Sequence, residues 1–117
     1  MAKLSTHVLD TLHGRPAAGV RVELHRIEGR EARLIVETRT NADGRTDRPL
    51  LEGVAVTRGR YRLTFHIGDY FRATGVALPD PPFVDRAVIQ FGITDAAAHY
   101  HVPLLASPWS YTTYRGS

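Results

Sequence analysis

The feature of this sequence that most restricts its fold is a repeated pattern. Short stretches alternate polar and apolar residues and then end at Gly, Pro, Asn or Asp. A period of two is that of a half-buried β-strand, whose successive side chains point to opposite faces. The pattern predicts strands at residues 4–10, 19–27, 32–40, 60–67, 86–91, 99–105 and 111–115. Seven or eight short strands with frequent turns are typical of an all-β fold, an antiparallel β-sandwich or barrel.

Two local patterns between the strands are also informative. Residues 41–44, Asn-Ala-Asp-Gly, predict a tight turn because these residue types tolerate a positive φ, and Arg45 is the first residue beyond it. One short helix is predicted at residues 69–74, with Asp69 as its N-cap and Gly75 as its C-terminal stop. The segment 49–59 is expected to be irregular.

Length and composition exclude several classes of protein. A chain of 117 residues is expected to form a single domain over residues 1–117. Because no apolar stretch approaches the ~20 residues needed to cross a bilayer, and the start has no apolar signal region, we expect a cytoplasmic protein without membrane contact. The absence of cysteine excludes thiolate metal sites and cysteine nucleophiles. The net charge of +3 comes from scattered basic residues, so no nucleic-acid partner is expected.

The strand period predicts the face of the strand on which each histidine lies. In residues 99–105 the side chains suited to the core are those of Tyr100, Val102 and Leu104. The alternate side chains then face outward, and they are those of His99, His101, Pro103 and Leu105. In residues 4–10 the outward face likewise carries His7 beside Leu9. An outward face with this many apolar residues indicates a ligand site or an interface. Pro103 cannot donate to a central ladder, so its strand is predicted to lie at a sheet edge or to be distorted.

These residues also have simpler interpretations. A lone surface histidine is usually solvated, and we interpret His13, His25 and His66 in that way. An outward His-x-His pair is weak support for a site, and an arginine after a turn is by default solvated. The alternation therefore predicts a β-sandwich with an apolar, histidine-bearing outer face, and it leaves the chemistry of that face open.

Four segments resemble the transthyretin-like proteins and, among them, the enzymatic branch of 5-hydroxyisourate hydrolases. They are LSTHVLD at 4–10, TNADGR at 40–45, HYHVPLL with the following Ser-Pro at 99–108, and SYTTYRGS at 110–117. The match keeps this order from residue 4 to residue 117. The hormone-carrier branch shares the scaffold but has other residue types at His7, Arg45 and His101, and it lacks the Tyr-Arg-Gly-Ser ending.

The resemblance implies a fold, a reaction and an assembly. The fold would be a transthyretin-like antiparallel β-sandwich with one short helix, assembled as a homotetramer, a dimer of dimers, with active sites in a channel between the dimers. The reaction would be hydrolysis of 5-hydroxyisourate to 2-oxo-4-hydroxy-4-carboxy-5-ureidoimidazoline in urate degradation, without cofactor or metal. The implied catalytic residues are His7, Arg45 and His101. The implied substrate-binding residues are His7, Arg45, Tyr114, Arg115 and Ser117.

This reaction requires an activated water and a place for negative charge. A neutral histidine is a suitable general base because its ordinary pKa of about 6.5 lies near neutral pH, and either His7 or His101 fits this role. Arg45 and Arg115 would stabilise the substrate oxyanion and keep the histidine neutral by repulsion. Two alternatives are a zinc-dependent hydrolase using His7, His99 and His101, and a noncatalytic carrier of a small hydrophobic ligand.

Overall fold

The computed structural model describes residues 1–116, so the predicted role of Ser117 lies outside the described residues. This part of the chain contains one α-helix, α1 (Ile67–Ala73), and nine strands, two of them only two residues long. The strands are β1 (Lys3–Asp10), β2 (Arg15–Pro16), β3 (Arg21–Glu28), β4 (Glu31–Arg39), β5 (Leu51–Glu52), β6 (Gly59–Phe65), β7 (Ala87–Ile93), β8 (His99–Ala106) and β9 (Tyr111–Thr113).

The strands form the two sheets of a β-sandwich, which confirms the predicted fold class. One sheet has the order β2-β1-β8-β9, with β5 also paired to β1, and the other has the order β4-β3-β6-β7. The predicted alternation holds, since Tyr61, Leu63 and Phe65 of β6 are at most 1% exposed. Buried side chains from both sheets form one apolar cluster. Each large side chain in it contributes about 1.5–3 kcal/mol, so the sandwich is stabilised mainly by this inner layer.

Two strands that are distant in sequence lie side by side at the centre of the first sheet. β1 pairs with β8 in parallel, whereas the other strand pairings among residues 1–116 are antiparallel. The parallel register sets Ser5 opposite His101 and His7 opposite Pro103. The two histidine-bearing strands therefore present their outer faces as neighbours.

Pro103 lies in a central strand, not at an edge, and interrupts the pairing of this strand with β9. β8 lies between β1 and β9, and Pro103 is buried, so the first of the two predicted alternatives, a strand at a sheet edge, is wrong. Leu104 pairs with Thr113 and His101 forms an isolated bridge with Gly116 in the same register, which leaves Pro103 opposite Tyr114. Proline has no N–H for the pair expected there. The ladder is interrupted at this point, and the last strand ends at Thr113, two residues earlier than predicted.

The helix ends where predicted but begins earlier. Gly75, at φ +94°, donates to the carbonyl of Arg72, and Val76 donates to the carbonyl of Phe71, which is the Schellman arrangement. The N-cap is His66, without a side-chain cap, so the prediction of Asp69 in this position is wrong. Ile67, predicted to end a strand, is fully buried as the first helical residue. Its burial explains the earlier start.

Two further predictions from the sequence are wrong because the residues concerned are buried. His66 is only 4% exposed and its Nε2 lies 2.6 Å from a carboxylate oxygen of Glu23, so this histidine is not solvated. The segment 49–59, expected to be irregular, contains β5 and a single 3₁₀ turn, Gly53–Ala55, because Leu51 is buried against the core. No helix among residues 1–116 has the length and apolar character needed to cross a membrane.

Candidate active site

The predicted turn at residues 41–44 lies against β1, in a contact that requires glycine. The amide of Val8 donates to the carbonyl of Gly44 at 2.7 Å. Gly44 has φ +74°, and a Cβ there would lie 2.3 Å from the carbonyl oxygen of Val8. Such a distance is well inside van der Waals contact, and the left-handed backbone also disfavours a side chain. Glycine therefore allows the turn to lie directly on the strand that carries His7.

The side chain of Asn41 organises the same turn. Its Oδ1 accepts hydrogen bonds from the backbone amides of Asp43 at 2.9 Å and Arg45 at 3.2 Å, and the backbone amide of Asn41 donates to the carbonyl of Arg45. An asparagine that bonds its own following backbone stabilises such turns. Arg45 is thereby held opposite His7 in an isolated antiparallel bridge.

The turn also orients the ring of His7. Its Nε2 lies 2.9 Å from the carbonyl oxygen of Asp43. A carbonyl can only accept, so Nε2 carries a proton and donates it. In the neutral ring, Nδ1 is then the nitrogen with the free lone pair.

His101 is held by the neighbouring strand and is biased toward its neutral form. Its Nδ1 lies 2.8 Å from the hydroxyl oxygen of Ser5. Burial lowers the pKa of His101 below its ordinary value, and repulsion from the Arg45 guanidinium and from the protonated form of His7 lowers it further. A histidine with a lowered pKa is unprotonated at neutral pH and can accept a proton.

His7, Arg45 and His101 are thus brought together on the outer face of the first sheet, although they are distant in sequence. Ser5 belongs to the same group and was not among the residues singled out from the sequence. The information that could have found it was present, since Ser5 shares the outward parity of His7 on the same strand.

The C-terminal segment passes beside His101 but divides its side chains between two faces. The amide of Gly116 donates to the carbonyl of His101 at 2.7 Å, and the side chain of Tyr114 is 59% exposed. The guanidinium of Arg115 lies over the ring of Tyr100, 4.2 Å from its centroid. Tyr100 and His101 are adjacent in a strand and face opposite ways. The structure therefore brings Gly116 to His101, but not the guanidinium of Arg115.

Comparison with known proteins places this scaffold in a family. The transthyretin family model, which is described as the HIUase/Transthyretin family, matches residues 4–116. The chain belongs to the HIUase/Transthyretin family.

Relatives of both branches of the family are similar to the chain over nearly its whole length. The 5-hydroxyisourate hydrolase of Pseudomonas aeruginosa is 56% identical over all of this chain and 93% of its own. A solved structure of (S)-allantoin synthase is 46% identical with a TM-score of 0.93, and the chain spans 44% of that longer protein. The transthyretin of Sparus aurata is 28% identical, with a TM-score of 0.86 over 97% of this chain and 96% of its own. Identity is thus twice as high to the hydrolase as to the transthyretin.

The third histidine of interest, His99, stands apart from the other two in this family member. It is exposed at the start of β8, and its Nε2 contacts the carbonyl of Met1. Among residues 1–116, no three side chains of His, Cys, Asp or Glu are arranged to hold a metal ion. The alternative of a zinc site on His7, His99 and His101 therefore has no support from the geometry of this chain.

The outer face that carries the histidines is open in the single chain. A groove of about 330 Å³ lies near the C-terminal segment, but it is lined by Tyr100, Tyr114 and Arg115 together with residues of β7. None of His7, Arg45 and His101 lines it. The three grouped residues therefore lie outside this groove, with Arg45 exposed and the two histidines partly buried.

Proposed function

We propose that the chain hydrolyses 5-hydroxyisourate to 2-oxo-4-hydroxy-4-carboxy-5-ureidoimidazoline, a step of urate degradation. The observation that carries the proposal is the group formed by His101, whose pKa is lowered by burial, the neighbouring Arg45 and His7. The full-length identity of 56% to a 5-hydroxyisourate hydrolase supports the same conclusion. The carrier alternative has less support, since identity to the transthyretin is 28%.

In the proposed mechanism His101 is the general base. Its Nδ1 is engaged by Ser5, which leaves Nε2 to take a proton from water while the water oxygen attacks a ring carbonyl of the substrate. When the C–N bond of that amide breaks and the ring opens, His101 returns the proton to the departing nitrogen. Its lowered pKa keeps it unprotonated at neutral pH, and general base catalysis typically contributes ~10²- to 10⁴-fold. Arg45 binds a carbonyl oxygen of the substrate and stabilises the negative charge that develops on it. His7, with Nε2 held by Asp43, accepts a substrate N–H at Nδ1.

The C-terminal residues complete the proposed substrate site. Tyr114 lies opposite Pro103 in the register of the C-terminal segment, which puts its exposed ring on the outer face with His101, where it stacks on the flat heterocycle or hydrogen-bonds to it. Ser117 and Arg115 are predicted by resemblance to contact the substrate as well. The contact of Arg115 with Tyr100 supports a role for this arginine away from the substrate.

We propose that the working form is a homotetramer, a dimer of dimers, whose outer β1–β8 faces enclose the sites. The partly exposed Leu9 and Leu105 beside the histidines support an interface there. A second copy would also cover the open site. The cytoplasmic location and the absence of a cofactor stay predictions.

The direct test follows the ultraviolet absorbance of freshly generated 5-hydroxyisourate with and without the chain. The expected result is a decay faster than spontaneous hydrolysis and proportional to protein concentration. A His7→Ala/His101→Ala double variant at the same concentration controls for contaminating activity. Decay at the spontaneous rate, with binding of a hydrophobic ligand, would support the carrier function instead.

The pH dependence of kcat should report the pKa of His101. A general base works unprotonated, so kcat should fall on the acid side, with a midpoint below about 6.5 because the pKa is lowered. In Arg45→Ala a cation that opposes protonation is lost, so the midpoint should move to higher pH. Arg45→Lys keeps the charge and should keep the midpoint, whatever its kcat. Identical midpoints in wild type and Arg45→Ala would contradict the assignment.

Ser5 should contribute through the orientation of His101. Ser5→Ala removes the hydroxyl 2.8 Å from Nδ1 and should lower kcat by about tenfold, the equivalent of one hydrogen bond of ~1.4 kcal/mol. Ser5→Thr keeps the hydroxyl and should stay close to wild type. Steady-state kinetics on both variants provides the measurement, and equal rates in Ser5→Ala and wild type would exclude this role.

A further inference from the structure

We infer that Arg115 is a positioning residue, which holds the C-terminal backbone against His101 from the opposite face of β8. The inference rests on the proposed function, because it concerns the placement of the proposed general base. It differs from the expectation, based on resemblance, that Arg115 binds the substrate.

The contacts of Arg115 are made with a rigid part of the fold. Its guanidinium carbon lies 4.2 Å from the centroid of the Tyr100 ring, and its Nη2 donates to the carbonyl of His99 at 3.2 Å. Tyr100 is 5% exposed, and its hydroxyl accepts hydrogen bonds from the amides of Thr94 and Asp95, each at 3.0 Å. A flat guanidinium over such a fixed ring is a favourable stacking and cation–π contact. Arg115 therefore anchors the C-terminal segment to the core.

This anchor lies on the wrong side of the strand for direct contact with substrate. Side chains of successive strand residues point to opposite faces, so Tyr100 and the guanidinium above it lie behind β8 as seen from His101. The groove of about 330 Å³ that Tyr100 and Arg115 line is also lined by Ile89 and Phe91, which belong to β7 of the other sheet. A substrate bound at the outer face, beside His7 and Arg45, is separated from this guanidinium by the backbone of β8.

The segment needs an anchor because its ladder is interrupted. Beyond Thr113 the pairing with β8 stops opposite Pro103, and it returns only at the isolated bridge between Gly116 and His101. An isolated bridge near a chain end would ordinarily fray. Tyr114 is mostly exposed, so the side chain of Arg115 provides the contact that fixes the intervening backbone.

The anchor positions the backbone of Gly116, which touches the imidazole ring of His101. The amide of Gly116 donates to the carbonyl of His101, and a Cβ at Gly116 would lie 2.7 Å from Cδ2 of the His101 ring. The backbone of Gly116 therefore packs directly against the imidazole. A shift of this backbone changes the space available to the ring, and small misplacements of a catalytic group lower rates strongly.

The test compares Arg115→Ala and Arg115→Lys with wild type and with Arg30→Ala, an exposed arginine in the β3–β4 turn, as matched control. We expect Arg115→Ala to lower kcat by about 10- to 100-fold with KM nearly unchanged, since the guanidinium does not touch substrate. Arg115→Lys keeps the charge without the flat stacking surface and should recover only part of kcat. Arg30→Ala should match wild type.

A second measurement needs no catalysis. Hydrogen exchange of the Gly116 amide, followed by NMR on the full assembled chain, should be at least about tenfold faster in Arg115→Ala and unchanged in Arg30→Ala. A raised KM with wild-type kcat would overturn the inference, as would a Gly116 amide that stays as protected as in wild type. Wild-type kinetics in Arg115→Ala would overturn it too. If wild type itself does not accelerate hydrolysis, the proposed function fails, while the exchange experiment still tests the anchor.

Discussion

Replacing His101 with alanine is expected to lower kcat for 5-hydroxyisourate hydrolysis by ~10²- to 10⁴-fold, the range of general base catalysis. Of the two candidate bases, His101 has the lowered pKa and an Nε2 free of protein hydrogen bonds among residues 1–116. His7 is pinned through its Nε2 and should be needed mainly for substrate binding. His7→Ala should therefore raise KM as well as lower kcat.

The matched control for this prediction is His99→Ala. His99 lies two residues from His101 on the same strand but is exposed and contacts the carbonyl of Met1, so its loss should leave kcat close to wild type. Steady-state kinetics against freshly generated substrate distinguishes the variants. The proposed mechanism would be refuted if His7→Ala and His101→Ala each turned over substrate at the wild-type rate.

The largest expected effect on stability is that of Asp10→Ala, about 3–5 kcal/mol in the free energy of unfolding. One oxygen of the buried carboxylate accepts hydrogen bonds from Tyr70 at 2.7 Å and His13 at 2.6 Å, and the other accepts from the amides of Leu12 and His13. Alanine would leave the buried Tyr70 hydroxyl and the tight loop without this acceptor.

The hydrogen bonds to the Asp10 carboxylate also make the stability of the fold depend on pH. Burial alone would raise the pKa of Asp10, but the hydrogen bonds from His13 and Tyr70 outweigh it, and the pKa lies below its ordinary value. A lowered carboxylate pKa stabilises the fold above the unfolded value of about 3.9, and this contribution is lost as pH falls toward the folded value.

Urea unfolding at neutral pH provides the measurement for Asp10→Ala. Asp85→Ala removes an exposed carboxylate and should change stability by less than about 0.5 kcal/mol. A loss below about 1 kcal/mol in Asp10→Ala would mean that water replaces the carboxylate as the acceptor in this network.

Local features of this protein were predictable from the sequence because they depend on neighbours in the chain. The period of two in residues 60–67 located the core strand β6, although this strand ends at Phe65, and Asn41 to Gly44 located the turn beside Arg45. The parity of residues 99–105 correctly assigned Tyr100, Val102 and Leu104 to the core. The histidines of interest were found in the same way, and the resemblance to the family supplied the reaction.

Features that depend on contacts between distant segments were missed or misassigned. The parallel register of β1 with β8 sets Ser5 against His101. This register cannot be predicted from the sequence of either strand alone. Pro103 was expected at an edge or in a distorted strand, and only the sheet order shows a central strand with an interrupted ladder.

By itself, then, the sequence determined the seven longer strands, the turn and the outward parity of His7 and His101, since each follows from alternation and local turn chemistry. Only the tertiary structure decided that His101 is desolvated next to Arg45, that Ser5 is its partner, and that Arg115 lies on the other face of β8. The physical reason is that pKa values, ring orientation and the side of a strand on which a long side chain lies are set by packing between segments far apart in sequence.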